Sequence, residues 1–145
     1  MASGVGRALA VTALALVALA GCAGKESGGA SEPVDCGLPT PERGLDASVV
    51  PRLFVEPVKG EVVQAETGRR GRGFVAAVNV PLSVSDTFDA YRRAAARVGY
   101  REVFVDNERF EAEITLEKGT DLVAIQIRRS ICDDRSVAFV NEVVR

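Results

Sequence analysis

The sequence contains no histidine among its 145 residues, and this absence restricts its chemistry more than any other feature. Histidine is the usual general base near neutral pH and the commonest metal ligand in proteins. Its absence excludes Ser-His-Asp and Cys-His catalytic arrangements, and it excludes histidine-based metal sites. Tryptophan is also absent, and no motif in the chain implies a cofactor or a metal ion.

Long apolar runs are scarce as well, since only residues 8–20 form one, and Thr12 interrupts it. A membrane-spanning helix needs about 20 apolar residues, so this run is too short for a permanent span. The preceding residues carry one basic side chain, Arg7. A basic segment followed by a short apolar run is typical of a secretory signal that is removed from the mature protein.

The apolar run ends in Leu19, Ala20, Gly21 and Cys22. These four residues resemble the lipobox of bacterial lipoproteins, in which an aliphatic residue and two small residues precede the cysteine. The resemblance implies a signal peptide at residues 1–21, lipid transfer to the Cys22 sulfur and cleavage before Cys22. Two acyl chains give stable anchoring, so the expected location is the extracytoplasmic face of the cell membrane, with the bilayer as partner. The alternative is an ordinary secretory signal.

Lysine is rare, with only Lys25, Lys59 and Lys118, while arginine, alanine, valine and glycine are abundant. This usage is typical of GC-rich genomes and, with the lipobox, favours an actinobacterium. Removal of residues 1–21 takes away Arg7 and leaves 17 basic against 20 acidic side chains, a net charge of about −3. That charge argues against a nucleic-acid partner. The mature part resembles no family.

Residues 22–47 are predicted to be a lipidated cysteine followed by a tether rich in glycine, serine and proline. Once Cys22 carries lipid, Cys36 and Cys132 remain, and an exported protein lies where disulfides persist. We expect these two to pair across 96 sequence positions, with a stabilisation of up to about 4 to 5 kcal/mol. Residues 23–35 would then be a leash of roughly 20 Å. The alternatives are two free thiols or a catalytic Cys132.

Residues 48–145 are predicted to form one α+β domain: a single small antiparallel sheet of five or six strands, covered on one face by one amphipathic helix over about residues 84–98. The expected order is β-β-α-β-β-β-β, and the turns at residues 68–72, 106–109, 118–121 and 132–135 separate the strands. Residues 53–56, between two prolines, are predicted to be an edge strand or an extended arm.

Periodicity assigns side chains to the two faces of this sheet. The predicted helix buries one stripe, Val84, Phe88, Tyr91, Ala95 and Val98, with a serine at its start and Gly99 at its end. Two strands direct apolar residues to the core: Phe110, Ala112, Ile114 and Leu116 in one, and Val123, Ile125 and Ile127 in the other. The second face is expected to be polar and solvated, with Glu111, Glu113, Glu117, Gln126 and Arg128.

Two groups of charged residues are candidate sites. Arg69, Arg70 and Arg72 lie in a predicted hairpin turn, which we interpret as solvated; the alternative is an anion contact with lipid headgroups, wall polymer or an acidic partner. Asp106, Glu108, Asp133 and Asp134 are acidic turn residues, and the alternative for them is a Ca²⁺ site or acid–base chemistry. Their spacing matches no known calcium-binding loop.

The functional expectation is a membrane-anchored, non-catalytic binding or interaction module of the cell envelope. Its partner beyond the bilayer would be an envelope protein or an anionic wall polymer. The alternatives are a small carboxylate-based envelope enzyme or enzyme accessory, and a purely structural lipoprotein. An apolar groove or an exposed strand edge would favour the binding module, whereas convergent carboxylates would favour the enzyme.

The lipobox gives a first testable prediction. Mass spectrometry of the protein isolated from membranes is expected to show an N-terminal peptide that begins at Cys22 and carries a diacylglyceryl group. A Cys22→Ala variant should lose the lipid and remain unprocessed, because the sulfur is the acceptor. A mature peptide without lipid on Cys22 would contradict the lipoprotein interpretation.

Overall fold

The computed structural model describes residues 35–68 and 71–145. The predictions for the signal peptide, for Cys22, for most of the tether and for Arg69 and Arg70 therefore lie outside the described residues. Among the residues that are described, no helix is long and apolar enough to cross a membrane.

Residues 35–68 and 71–145 contain six strands and one α-helix, in the predicted order β-β-α-β-β-β-β. The elements are β1 Glu61–Thr67, β2 Phe74–Val80, α1 Val84–Arg97, β3 Arg101–Asn107, β4 Glu111–Lys118, β5 Asp121–Arg129 and β6 Ser136–Val144. The predicted α+β class, with one antiparallel sheet, is confirmed.

The strands lie in the sheet in the order β1-β2-β6-β5-β4-β3, and each neighbouring pair is antiparallel. The β1–β2 hairpin occupies one end of the sheet. Helix α1 then carries the chain across the sheet to β3 at the other end. From there β4 and β5 return strand by strand, and β6 fills the place between β5 and β2.

Helix α1 begins and ends as its sequence predicts, with one exception. Ser83 is the N-cap: its side chain accepts a hydrogen bond from the backbone N–H of Asp86 and donates one to the Asp86 carboxylate. Gly99 has a φ of 85°, a conformation that favours glycine after a helix. Val98, predicted to be part of the buried stripe, is instead 43% exposed because it caps the helix beyond the last packed turn.

The rest of the stripe is buried, and Tyr91 is its centre. The Tyr91 hydroxyl donates a hydrogen bond of 2.9 Å to the backbone carbonyl of Phe54, so the polar tip of this core side chain has a partner. Burial raises the pKa of Tyr91 above its ordinary value. The prediction of a core aromatic rather than a binding-site hydroxyl at position 91 agrees with this environment.

The segment that supplies Phe54 is not the predicted strand or extended arm. Arg52–Phe54 and Glu56–Val58 are 3₁₀ turns, preceded by a third at Ala47–Val49. Proline fixes φ near −65° at positions 51 and 57, a value that suits the first residues of such turns. The turns place Phe54 and Val58 in the core beside Phe74, whose ring centroid lies 5.6 Å from that of Phe54.

An ion pair between Arg92 and Glu102 connects α1 to β3. The Arg92 guanidinium donates from Nε to Glu102 Oε1 at 2.7 Å and from Nη2 to Oε2 at 2.8 Å. These bonds lower the pKa of the Glu102 carboxyl and raise that of Arg92. The two-point geometry fixes the orientation of β3 relative to the helix.

Cys36 and Cys132 form the predicted disulfide, with their Cα atoms 5.1 Å apart. The bridge fixes the start of an irregular segment, residues 36–46, which we call the arm and which forms the last part of the predicted tether. The arm is hydrogen-bonded to the sheet: the Asn79 amide donates to the Pro39 carbonyl at 2.8 Å, and the Glu42 N–H donates to the Val63 carbonyl at 2.9 Å. It therefore passes from the β5–β6 turn by way of β2 to β1.

The alternating patterns of β4 and β5 predict their buried faces correctly, except at Phe110. Ala112, Ile114 and Leu116 in β4 are buried, as are Val123, Ile125 and Ile127 in β5. Phe110 was predicted to face the core, but it precedes β4 in a turn and its side chain is half exposed. Its ring lies 4.2 Å from the guanidinium carbon of Arg129, a cation–π contact that substitutes for core burial.

Removal of the disulfide is expected to destabilise the fold. A Cys36→Ser, Cys132→Ser double variant should lower the free energy of unfolding by about 2 to 5 kcal/mol, because a long loop is no longer closed in the unfolded chain. Urea denaturation measures this loss, and hydrogen exchange at Glu42 should show that the arm opens more often. Reduction of the unmodified protein is the control and should give a similar loss. A change below about 1 kcal/mol would contradict the expectation.

Candidate functional site

The candidate site is the face of the sheet opposite α1, which we call the open face. Cross-strand partners project to the same face, so the strand register assigns each residue to one side. The central open-face pairs are Val75 with Asn141, Ala77 with Phe139, Gln126 with Phe139, and Thr115 with Ala124. The core residues of the same strands project to the side of α1.

One half of the open face, on β4 and β5, is polar as predicted. The Gln126 amide donates to Glu111 Oε1 at 2.6 Å and to Glu113 Oε1 at 3.3 Å. Arg128 Nε lies 3.4 Å from the same Glu111 oxygen. At the far end of β4, Glu117 pairs with Arg101 of β3. These cross-strand pairs let the face remain in water without unpaired buried charge.

The other half, on β2 and β6, is apolar, and this corrects the prediction of a polar second face. Val75 is 49% exposed and Phe139 is 39% exposed, on adjacent strands. Val143 is exposed beyond them on β6. Single exposed apolar residues are ordinary, but neighbouring ones on adjacent strands form a contiguous patch of the kind that marks binding surfaces.

The apolar patch forms one wall of a shallow groove. A cavity of about 320 Å³ lies between Val75, Phe139 and Asn141 on one side and Thr115, Ala124 and Gln126 on the other. A second cavity, of about 550 Å³, begins at Val75 and Asn141 and extends towards Gly68, Arg72 and Val143. Because the two cavities share Val75 and Asn141, we treat them as one feature, the open-face groove. Each cavity, taken by itself, has a volume within the size range of small-ligand sites.

The arm covers one corner of the open face and so limits the groove. Asn79, on the open face of β2, donates to Pro39 of the arm, and the neighbouring Ala77 and Val137 are almost completely buried although they project away from the core. The disulfide anchors the arm beside this corner. The exposed apolar surface therefore starts where the arm ends.

The surroundings of the groove are acidic. Glu66 is the cross-strand partner of Val75 at the β1 side, and Glu111, Glu113 and Glu117 line the β4 side. Two arginines lie at the groove: Arg128, whose guanidinium carbon is 5.9 Å from the Phe139 ring centroid, and Arg72, which lines the larger cavity. Arg128 and Arg101 already pair with Glu111 and Glu117, whereas Glu66 and Glu113 form no ion pair among the described residues. These two carboxylates, on opposite sides of an apolar centre, favour a ligand with positive charge at its ends.

A separate group with shifted pKa values lies on the helix side, near the end of the groove. Partial burial, together with the charge of Asp121, raises the pKa of the Glu142 carboxyl. Burial and the charges of Glu142 and Asp121 raise the pKa of Tyr100. Glu142 is the cross-strand partner of Phe74 and Val123, so apolar neighbours flank it on both sides. This arrangement explains the shift by desolvation.

The charged candidates from the sequence have separate positions. Arg72 is exposed and donates from Nη2 to the Arg145 carbonyl at 3.2 Å, whereas Arg69 and Arg70 lie outside the described residues. Asp106 and Glu108 lie beside Glu111 and Glu113, but Asp133 pairs with Arg129 at 2.6 Å. Within residues 35–68 and 71–145, no three acidic or cysteine side chains are grouped to hold a metal ion.

Sequence reasoning missed Val75 and Phe139 as functional candidates. The signal was present in β2, where residues 74–78 are uninterrupted apolar residues, and in β6, where residues 137–140 are apolar. Such runs are typical of strands covered on both faces. In this sheet both faces are covered only at the corner beside the arm, so the open-face residues of these apolar runs elsewhere are exposed.

No protein-family model matches the chain, and no match was found among curated proteins or solved structures. The open-face groove is therefore interpreted from its own geometry and charge. The fold class likewise rests on the strand order and register described above.

The shifted pKa of Glu142 predicts a pH dependence of stability. Because the folded pKa is raised, the favourable contribution of this group is complete below its unfolded pKa and is lost as the pH rises through the folded pKa. Glu142→Gln should therefore stabilise the protein at pH 7, by less than about 1 kcal/mol for a partly solvated group, and have no effect at low pH. Urea denaturation from pH 3 to 8 tests this, and Glu66→Gln, at an exposed position of β1, is the control. A variant that is less stable at pH 7 would refute the assignment.

Proposed function

We propose that the mature protein is a lipid-anchored, non-catalytic binding module on the extracytoplasmic face of a bacterial cell membrane, and that its open-face groove binds an apolar segment of a partner protein flanked by basic side chains. The exposed apolar patch formed by Val75 and Phe139 carries this proposal. The anchor is inferred from the lipobox residues that end in Cys22.

The shape of the groove supports a polypeptide ligand. Together its two cavities extend from the β1–β2 hairpin to β4, across several strands. An elongated, shallow groove with apolar walls suits an extended chain, whose alternate side chains contact the surface. Asn141 and Gln126 provide amide groups along the groove, which can hydrogen-bond to a peptide backbone.

The charge distribution supports the basic flanks of the ligand. Glu66 lies at one side of the groove and Glu113 at the other, and the mature chain has a net charge of about −3. Complementary charge at the rim of an interface raises the association rate and selects among partners. Binding by an acidic wall polymer is correspondingly disfavoured at this face.

The choice of binding rather than catalysis rests on residue chemistry. The chain has no histidine, and the residues that line the two cavities are mainly apolar or amide-bearing, with Arg72, Glu113 and Glu142 as the charged ones. Apart from Arg92, the groups with raised pKa values are Tyr91, Tyr100 and Glu142, and they lie on the helix side, although Glu142 also lines the end of the larger cavity. A disulfide-bonded Cys132 is not a free nucleophile.

Site-specific photo-crosslinking in intact cells tests the proposal. A benzophenone side chain at position 124, within the groove, is expected to give one discrete adduct with an envelope protein. The same probe at position 93, which is exposed on α1, is the control for chance encounters. Mass spectrometry of the adduct should place the crosslink in an apolar segment with neighbouring lysine or arginine.

A matched pair of variants makes the test specific. Val75→Lys removes an apolar contact and adds positive charge opposite Glu66, so it should reduce the adduct at least tenfold while the fold remains intact. Val98→Lys changes a valine of similar exposure away from the groove and should leave the adduct unchanged. Equal adducts from positions 124 and 93, or no effect of Val75→Lys, would refute the proposed function.

A further inference from the structure

The two edges of the sheet differ in how they are covered. At one edge, the arm reaches β1 through the Glu42 N–H and the Val63 carbonyl. At the other edge, β3 pairs with β4 on its inner side. Among the described residues, no backbone hydrogen bond from another segment reaches its outer side. An edge strand of seven residues with free N–H and C=O groups is a template for a further strand.

The side chains of β3 are suited to such an addition. All seven residues are exposed, and the central Val103, Phe104 and Val105 are apolar. Charged residues lie towards both ends, with Arg101 near the start and Asp106 near the end. An edge with an apolar centre and opposite charges at its ends is complementary to its own antiparallel copy.

One pair within the chain is unfavourable as it stands. Asp106 is the direct cross-strand partner of Glu113, and like charges in this position destabilise a sheet. Glu108 and Glu111 lie beside them, and Arg128 pairs with Glu111 but not with Asp106 or Glu113. A positive side chain brought to the outer side of Asp106 would relieve the repulsion.

We propose that two copies of this chain pair antiparallel through β3, with Phe104 opposite Phe104 on the two-fold axis. The register follows from the faces of β3: residues 101, 104 and 106 lie on the open face, whereas 102 and 105 lie on the helix face. Val103 is the extra residue of a β-bulge. Because Val103 is left out of the pairing, Val105 lies opposite Glu102 of the other copy, and Asp106 lies opposite Arg101 of the other copy. The two members of each pair project to the same face of the sheet.

This register satisfies the charges. Each Arg101 lies between Glu117 of its own chain, with which it already pairs, and Asp106 of the second copy. Two symmetric Arg101–Asp106 pairs therefore flank the two copies of Phe104 on the open face. On the helix face, Val105 lies opposite Glu102, whose charge is already paired with Arg92. The result is a continuous sheet of twice six strands, with both open-face grooves on the same side, since the two-fold axis is perpendicular to the sheet.

Disulfide trapping of the purified full chain tests the pairing. Phe104→Cys places two thiols on the two-fold axis, where directly opposed Cα atoms are about 4.5 to 5.5 Å apart, a distance that a disulfide spans. Under mild oxidation it should give a covalent homodimer. Val98→Cys, at the end of α1 and outside the paired strand, has similar exposure (43% against 51% for Phe104); it is the matched control and should remain monomeric.

Charge reversal tests the register without any added cysteine. Arg101→Asp or Asp106→Arg alone brings like charges together at both ends and should weaken the dimer about tenfold or more in sedimentation velocity. The double variant restores both intermolecular ion pairs. Within each chain, the arginine at position 106 gains Glu113 as a partner, whereas the aspartate at position 101 loses the favourable pair with Glu117. Its dimer affinity should return to within about threefold of the unmodified protein.

Three outcomes would overturn the proposal. Equal trapping at positions 104 and 98 would show random collision rather than pairing. A failure of the double variant to recover dimerisation would refute this register. Trapping of position 104 to a different protein in the cell, with a monomeric purified chain, would assign the edge to another partner.

Discussion

The whole structure depends on a single constraint: one helix covers a sheet that has two faces. A helix of 14 residues is about 21 Å long, and six strands spaced about 4.8 Å apart make a sheet of similar width. Helix α1 and the 3₁₀ turns before it are enough for one face, with Tyr91 and Phe54 joined at their contact. The second face has only the arm, so most of its side chains must suit either water or a partner.

The open face meets this requirement differently in its two halves. On β4 and β5, strict alternation places Glu111, Gln126 and Arg128 outward, and their hydrogen bonds keep the surface polar. On β2 and β6, alternation fails because the strands are apolar on both sides. Ala77 and Val137 are buried at the corner where the arm is bonded to Asn79, whereas Val75 and Phe139 are exposed. The groove exists because the arm covers only part of the apolar surface formed by β2 and β6.

Most of the fold follows from local patterns, but the groove does not. The periodic stripe of α1 and the alternation of β4 and β5 determine their own burial, and the pairing of Cys36 with Cys132 follows from the cysteine count once Cys22 is assigned to the lipobox. The errors lie at element ends, where periodicity no longer applies: Val98 follows the last packed turn, Phe110 precedes β4, and prolines turn residues 51–57 into 3₁₀ turns. The groove depends on the insertion of β6 between β5 and β2, which brings Val75 beside Phe139. No local pattern encodes that neighbourhood.

The arm also determines what kind of assembly the exposed edge of β3 can form. If both edges of the sheet were open, β1 of one copy could pair with β3 of the next, and such head-to-tail addition continues into a filament. The arm, fixed by the disulfide, occupies the β1 edge at Val63. Only β3 then remains for pairing, and a strand that pairs with itself about a two-fold axis closes after two copies. The disulfide thus stabilises the fold and, by keeping the arm on β1, limits self-association to a dimer.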